Sequence, residues 1–269
     1  MPRQLELETG KIIGRIDDDG IGWLIFNQPE RHNALSLEMW QGIGDVLEAY
    51  ASDAAVRVAI MRGAGGKAFV SGADISEFDS KRASAAQKDD YGKIAGRANR
   101  WLAKFDKPLI ALIEGFCIGG GLATALSADI RIATPDARFG IPAAKLGLGY
   151  EYDGLAKLAR VVGPARARDI MFSARFMEAD EALRMGLINF VHERDRIERE
   201  TIDYAERIAG NAPLTVRAAK AALNAWERGS REQDVAAVTA LVNACFDSED
   251  YKEGRRAFKE KRTPDFRGR

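Results

Sequence analysis

The sequence of 269 residues contains few of the side chains from which metal and disulfide sites are built. It has two cysteines, Cys117 and Cys245, and two histidines, His32 and His192. The cysteines lie far apart, so we expect neither a thiol metal cluster nor a disulfide framework, and no metal cofactor. Neither histidine adjoins a serine or cysteine in a nucleophile-elbow pattern, so a Ser/His/Asp hydrolase gains no support from the sequence.

An excess of one charge and long apolar runs are also missing. Lysine plus arginine and aspartate plus glutamate each total 40, so the formal net charge is zero. This balance argues against nucleic acid or an anionic membrane as a partner. No stretch approaches the roughly 20 apolar residues that span a bilayer, and the first ten residues lack the apolar core of a signal peptide. We therefore expect a cytoplasmic protein without a membrane partner.

Two loops of small residues are the most informative feature that is present. They read FVSGADI (69–75) and GFCIGGGLATA (115–125). Each follows an apolar, strand-like run and leads into a helix-like segment, so each presents backbone N–H groups without partners at a helix start. One N–H group at Ala73 and one within residues 119–121 can converge on a single oxygen, and small side chains let a ligand approach. The pattern predicts an oxyanion hole.

Three further motifs accompany the loops along nearly the whole chain: NQPERHNALS (27–36), FGIPAAKLGLG (139–149) and SEDYKEGRRAFKEKR (248–262). In this order the motifs resemble those of the enoyl-CoA hydratase/isomerase (crotonase) superfamily. The resemblance implies that the N–H groups of Ala73 and Gly120 bind a thioester oxygen and stabilise an enolate-type intermediate. It also implies that coenzyme A arrives as part of the substrate and that no cofactor is permanently bound.

The acid and base groups of the related hydratases are missing here. Where those enzymes carry two glutamates, this sequence has Ala123 and Ala143. By position in GLGYEYDG (147–154), Glu151 resembles a working aspartate and Tyr150 a tyrosine of other superfamily members, so both are candidate acid/base groups. The alternative is a surface turn, with Asp153 as the N-cap of a helix, Glu151 in solvent and Tyr150 as a rim aromatic.

The same resemblance implies contacts to the CoA ester. The expected contacts are Ala73, Asp74, Ile75, Ser76, Arg31, Ala34 and, from a neighbouring subunit, Lys261. We interpret the Asp74 side chain as a structural cap rather than a general base. Ser76 stands where the related loops often have a lysine, and Lys261 has the alternative role of a solvated helix residue. Cys117 is interpreted as a small buried filler rather than a nucleophile.

The hydrophobic pattern predicts an α/β fold. KIIGRIDDDGIGWLIFN (11–27) predicts a hairpin with a turn at 17–20, and Ser36 predicts the N-cap of a helix with one apolar stripe. Strands near 56–63, 108–115 and 129–134 alternate with helices, one of them near 84–105, which favours parallel pairing. The resemblance implies a spiral of ββα units over residues 1–195 and a helical trimerisation domain over 196–269, in a homotrimer or a hexamer made of two trimers.

We therefore predict an acyl-CoA enzyme of the enoyl-CoA hydratase or isomerase type, a lyase or an isomerase. A decarboxylase or hydrolase of the same superfamily is an alternative, since both use the same kind of oxyanion hole. The two alanines also leave open a non-catalytic acyl-CoA binding protein. The basic C-terminal segment leaves open an RNA-binding protein, although its basic residues alternate with acids. A nucleotide phosphate loop is set aside, because no Lys-Ser/Thr pair follows the glycines.

Overall fold

The computed structural model describes residues 2–74, 76 and 85–269, and of residues 85–91 only the backbone. Ile75, one of the expected CoA contacts, therefore lies outside the described residues. The strands are β1 (Arg3–Gln4), β2 (Ile12–Ile16), β3 (Ile21–Phe26), β4 (Val58–Gly63), β5 (Ala68–Val70), β6 (Leu109–Ile113), β7 (Phe116–Ile118), β8 (Ile130–Ala133), β9 (Arg138–Gly140), β10 (Met177–Glu178) and β11 (Phe190–Val191).

The helices follow the strands along the chain and dominate its C-terminal third. They are α1 (Leu37–Ser52), α2 (Ala85–Lys104), α3 (Gly120–Ala125), α4 (Tyr152–Val162), α5 (Pro164–Ser173), α6 (Ala179–Arg184), α7 (Ile197–Ala209), α8 (Pro213–Glu227), α9 (Glu232–Asp247) and α10 (Glu249–Glu260). Short 3-10 turns lie at Pro29–Arg31 and Pro142–Leu146.

The predicted hairpin and first helix are confirmed. β2 and β3 pair antiparallel, and Gly20 in the turn between them has φ +78°, a left-handed conformation that glycine adopts without strain. The Ser36 side chain accepts a hydrogen bond from the N–H of Met39 and caps α1. The predicted apolar stripe of α1 is fully buried, and its residues are Met39, Ile43, Val46, Leu47 and Tyr50.

Two sheets form among the described residues. The larger sheet has the order β1-β2-β3-β4-β6-β8-β11 and the smaller sheet the order β10-β9-β7-β5. β3, β4, β6, β8 and β11 pair parallel, as the alternation of strands and helices predicted. The chain passes from a strand of the larger sheet to one of the smaller sheet and then to a helix, in β4-β5-α2 and again in β6-β7-α3. These are the ββα units of the predicted spiral.

The larger sheet is buried on both faces, as is usual for parallel sheets. On β4, Ala59 and Met61 pack in a core shared with α1 and the smaller sheet. Val58 and Ile60 of the same strand face the other side, where they pack with Ile197 of α7. The smaller sheet therefore lies over one face of the larger sheet and α7 over the other. This packing holds β5 and β7, whose ends carry the two loops.

Four helices occupy residues 197–260, within the segment predicted to be helical. The last three leave large apolar side chains exposed, namely Leu223, Trp226, Val235, Phe246 and Phe258. An apolar surface of this kind is what the predicted trimer would cover. The division at residue 195 and the oligomeric state remain predictions. None of the helices in the described ranges is long and apolar enough to cross a membrane.

Candidate active site

The first loop holds Ala73 in an extended bridge beside Leu35. The N–H of Leu35 donates to the carbonyl of Gly72, and the N–H of Asp74 donates to the carbonyl of Leu35, at 2.8 and 2.9 Å. The two hydrogen bonds flank Ala73 in the pattern of a parallel bridge. In this pattern the N–H of the middle residue points away from the neighbouring chain. The N–H of Ala73 is therefore directed away from Leu35.

The second loop depends on glycines at two positions for different reasons. Gly119 has φ +54° and donates its N–H to the carbonyl of Gly140 at 2.8 Å, where the chain turns from β7 into α3. At Gly121, a Cβ atom would lie 2.1 Å from the carbonyl oxygen of Val70 on β5. The absence of a side chain thus lets the backbone of α3 pack directly on the strand that leads to Ala73.

A gap separates the two loops at Gly120. A Cβ atom built on Gly120 would lie 3.8 Å from the nitrogen of Ala73 and 3.9 Å from Cδ1 of Leu35. Both Ala73 and Gly120 are half-buried, so solvent reaches the gap. Within the described part of the chain, neither the N–H of Ala73 nor that of Gly120 donates a hydrogen bond. Two unused backbone donors thus border one accessible gap, which is the chemistry of an oxyanion hole.

Ala123 and Ala143 occupy the two positions at which the related hydratases carry glutamates, so each position presents only a methyl group. Ala123 lies one turn after Gly120 on α3 and is half-buried. Ala143 is 5% exposed and lies in the 3-10 turn that follows β9, where its carbonyl accepts a hydrogen bond from Leu148 at 3.1 Å. Neither side chain can transfer a proton.

Tyr150 is half-buried, and its ring packs against the core. Burial raises the pKa of Tyr150 to about 12. The phenol therefore keeps its proton near neutral pH. It can donate a hydrogen bond, but it is not ionised to act as a base in that range.

Glu151 is exposed and directly precedes α4. Its carbonyl accepts the first hydrogen bond of the helix, from Leu155 at 3.3 Å, and its side chain makes no capping hydrogen bond. In the surface-turn alternative, the placement of Asp153 as the N-cap was wrong, because the helix begins at Tyr152 and its N-cap residue is Glu151. Asp153 instead lies in the first turn, where its carboxylate interacts favourably with the positive end of the helix dipole.

A polar cluster supports the first loop from the side. The buried carboxylate of Asp74 accepts hydrogen bonds from the N–H and hydroxyl of Ser76 at 3.0 and 2.6 Å, and from Arg31 at 2.8 Å. Although burial opposes ionisation, the bonds from Ser76 and Arg31 hold the pKa of Asp74 below its ordinary value. Arg31 also donates to the Ser76 hydroxyl at 3.0 Å. These contacts agree with a structural role for Asp74.

The loop that carries Arg31 and Ala34 is held by Asn33, a residue to which the sequence motifs give no role. Asn33 is fully buried at φ +55°, and its side chain accepts from the N–H of Gln28 at 2.9 Å. The same side chain donates to the carbonyls of Ala64 and Ala68 at 3.0 and 2.8 Å. The available signal was an asparagine in a polar turn, since asparagine tolerates left-handed backbone and bonds to nearby main chain.

The other sequence candidates lie apart from this gap. Lys261 is exposed and ends α10 in a left-handed conformation, φ +55°. Its expected contact with CoA belongs to a neighbouring subunit and stays a prediction. Cys117 is fully buried in β7, and burial raises the pKa of its thiol, which agrees with the filler interpretation.

Comparison with known proteins gives consistent matches over almost the full length. The family model described as enoyl-CoA hydratase/isomerase matches residues 17–269. The short-chain-enoyl-CoA hydratase of Clostridium acetobutylicum is 37% identical over 236 residues, which are 88% of this chain and 90% of that protein. The crotonyl-CoA hydratase of Syntrophomonas wolfei is 34% identical over 249 residues, 93% of this chain and 95% of that protein.

Solved structures match equally well. The crystal structure of an enoyl-CoA hydratase/carnithine racemase from Magnetospirillum magneticum superimposes with a TM-score of 0.91 and is 37% identical. The match covers 99% of this chain and 97% of that one.

Proposed function

The chain belongs to the enoyl-CoA hydratase/isomerase family, and from that membership we propose that its two loops bind the thioester carbonyl of an acyl-CoA and stabilise an enolate-type intermediate. The observation that carries this proposal is the pair of unused N–H groups, at Ala73 and Gly120, beside one accessible gap. As a proton leaves or joins the carbon next to the thioester, negative charge grows on the carbonyl oxygen. Two fixed donors stabilise that charge, by about 3 kcal/mol for each donor where it has been measured.

Glu151 is proposed as the acid/base group of the reaction. It is the carboxylate that begins α4, eight residues after Ala143 in the sequence. Its side chain is exposed in the single chain, so the proposal requires bound substrate or a neighbouring subunit to exclude water from it. Tyr150, which stays protonated, is proposed as a hydrogen-bond donor to the acyl group.

We propose hydration of a C=C bond next to the thioester, or migration of that bond, as the reaction. The names of the two relatives support hydratase chemistry, whereas Ala123 and Ala143 favour a reaction that needs one proton-transferring residue. Bond migration needs only one such residue, because a single carboxylate can move a proton between two carbons. Decarboxylation and thioester hydrolysis use the same oxyanion hole and are tested in the same experiment.

Substrate binding is proposed to extend from the gap along the polar cluster. Ala34, Ala73, Asp74 and Ser76 would line the pantetheine through their backbone, with Ile75 between the last two. Arg31 and the neighbouring subunit's Lys261 would meet the CoA phosphates, which guanidinium and ammonium groups bind well. This arrangement requires a trimer, alone or paired into a hexamer.

The decisive experiment is incubation of the purified protein with a panel of CoA esters in deuterated water. The panel contains saturated, 2-enoyl, 3-enoyl, dienoyl, malonyl-type and 3-hydroxy esters, and mass spectrometry reports mass change and label. Gain or loss of water identifies a hydratase, double-bond migration an isomerase, and loss of CO₂ or of free CoA a decarboxylase or hydrolase. Deuterium at the α-carbon alone supports a working oxyanion hole with another natural substrate.

A non-catalytic acyl-CoA binding protein is the second candidate, favoured by the two alanines and by the exposure of Glu151. It predicts tight binding of CoA esters with no product and no label from any ester in the panel. That result, with binding confirmed by calorimetry, would replace the catalytic proposal.

A further inference from the structure

A cavity separate from the two loops lies at the other end of α1. The first residues of α1 follow Leu35 at the gap, and its last residues, Ala51 and Ser52, line the cavity. A helix of 16 residues is about 24 Å long, so the cavity is remote from the gap. The residues just before β4 and β6, the turn between α7 and α8, and residues 267–268 of the C-terminal tail complete its walls. The volume is about 210 Å³.

The walls of this cavity carry positive charge alone. In the part of the chain that the structure describes, four of its lining residues are basic and none is acidic; the basic ones are Arg57, Lys107, Arg217 and Arg267. We call it the basic cavity. Arg217 pairs with Asp106 and Arg267 with Asp265, but neither carboxylate lines the walls. Neither Arg57 nor Lys107 forms an ion pair with a described residue.

Arg57 and Lys107 contact carbonyl groups rather than carboxylates among the described residues. Nη2 of Arg57 donates to the carbonyl of Phe266 at 2.9 Å, while its Nη1 is buried without a hydrogen-bond partner. Nζ of the buried Lys107 donates to the carbonyls of Tyr50 and Asp53, both at 2.6 Å. Buried cations are normally paired with an anion, because an isolated buried charge is costly.

Charges of both signs lie near Lys107. Burial lowers the pKa of Lys107, the charges of Asp106 and Asp53 oppose this lowering, and repulsion from Arg217 and Arg57 adds to it. Lys107 is therefore close enough to both arginines to be repelled by them. An anion between them would relieve this repulsion.

The first turn of α8 adds a backbone donor to the same cavity. Pro213 and Leu214, its first two residues, line the walls, and the N-cap residue Ala212 has no side chain that caps the helix. Proline has no N–H group, and the N–H of Leu214 donates no hydrogen bond among the described residues. This N–H and the positive end of the helix dipole thus lie at the cavity wall. Guanidinium, ammonium and helix N–H groups together are the donors that bind phosphate in proteins.

We propose that the basic cavity binds a small tetrahedral oxyanion of the phosphate class, held by Arg57, Lys107 and the start of α8. At about 210 Å³ it has room for such an ion and several waters, each of which takes about 30 Å³. It is smaller than the roughly 300 Å³ at which pockets for drug-sized ligands begin. The bound ion would join the C-terminal tail to β4 and β6. The inference is independent of the reaction at the gap.

Binding of inorganic phosphate tests the proposal directly. Isothermal titration at constant ionic strength, adjusted with chloride, would compare the wild type with Arg57→Gln and with Arg199→Gln. Arg199 is a matched control, because it is an exposed arginine of α7 that pairs with Asp203. We expect saturable binding of one phosphate per chain and a Tm that rises with phosphate concentration. Arg57→Gln should weaken the affinity at least about tenfold, and Arg199→Gln should leave it unchanged.

Three results would overturn the proposal. The first is the absence of saturable phosphate binding, and the second is an equal loss of affinity in both variants. The third is displacement of phosphate by free CoA, which would place the ion in the substrate site. If Arg57→Gln does not fold, judged by circular dichroism, Arg267→Gln replaces it, because Arg267 is largely exposed and also lines the cavity. A loss of phosphate affinity in Arg267→Gln supports the site, and unchanged affinity counts against it.

Discussion

The two halves of the candidate active site are built from different parts of the chain. Backbone N–H groups make the proposed oxyanion half, and packing at Gly119 and Gly121 positions one of its two loops. The acid/base half depends on side chains, and at Ala123 and Ala143 these are methyl groups. Every residue except proline carries a backbone donor, whereas one substitution removes a carboxylate. The backbone half therefore identifies the class of chemistry, and the side-chain half decides the reaction.

A side chain that fills the gap at Gly120 should reduce activity more than any other change proposed here. In Gly120→Val the branched side chain would occupy the space in front of the Ala73 nitrogen, since even a Cβ would lie 3.8 Å from it. We expect kcat/KM on the substrate found in the ester panel to fall about 10²–10³-fold with a near-native Tm. Gly10→Val is the control, because no atom lies within 4 Å of its added Cβ. If Gly120→Val kept kcat/KM within about threefold of wild type, Gly120 would not be a donor of the oxyanion hole.

Glu151→Gln tests the side-chain half. If Glu151 transfers the proton, the variant should lose about 10²-fold in kcat/KM while it binds CoA esters as the wild type does. Asp153→Asn is the matched control, two residues further on in the first turn of the same helix. It should stay within about threefold of wild type. Similar losses in the two variants would indicate a shared electrostatic effect and not a specific proton transfer.

Asp74→Asn tests the support of the first loop through stability. The change leaves Arg31 without its carboxylate partner. We expect the free energy of unfolding, measured with urea at neutral pH, to fall by about 1–2 kcal/mol. Because the pKa of Asp74 is lowered below 3.8 in the folded state, its contribution is present above that pH and is lost as pH falls through the folded pKa. The difference between wild type and variant should therefore shrink in acid.

The exposed Asp195→Asn provides the comparison for Asp74→Asn. It should leave the free energy of unfolding within about 0.5 kcal/mol of wild type both at neutral pH and in acid. A stability difference for Asp74→Asn that stays constant into acid would contradict the assignment.

Tyr150→Phe should have the smallest effect. With a pKa of about 12 the phenol is protonated throughout the neutral range, so its loss removes at most a hydrogen bond. We expect kcat/KM to fall by no more than about tenfold and the pH profile of kcat/KM below about pH 10 to keep its shape. If the variant instead lost a limb of its kcat/KM profile near neutral pH, Tyr150 would be a proton-transferring base.

Several elements were predictable because their signals are local. The hairpin has its Asp-Gly turn, α1 has its cap at Ser36 and its apolar stripe, and the longer strands of the larger sheet have continuous apolar runs. The short strands escaped prediction, since two or three residues do not establish a period; they are β1, β5, β7, β9, β10 and β11. The start of α4 was placed two residues from where it lies, because a capping aspartate and a first-turn aspartate look alike in sequence.

The sequence by itself determined the kind of site, because backbone chemistry needs only small residues at the ends of strands. It also determined that two carboxylates are missing at 123 and 143. The tertiary structure decided which donors are unused, that Asp74 is committed to Arg31 and Ser76, and that Glu151 is exposed. It alone brought Arg57, Lys107 and Arg217 around one cavity. Contacts between residues far apart in the chain leave no periodic pattern, so they exist only once the elements have packed.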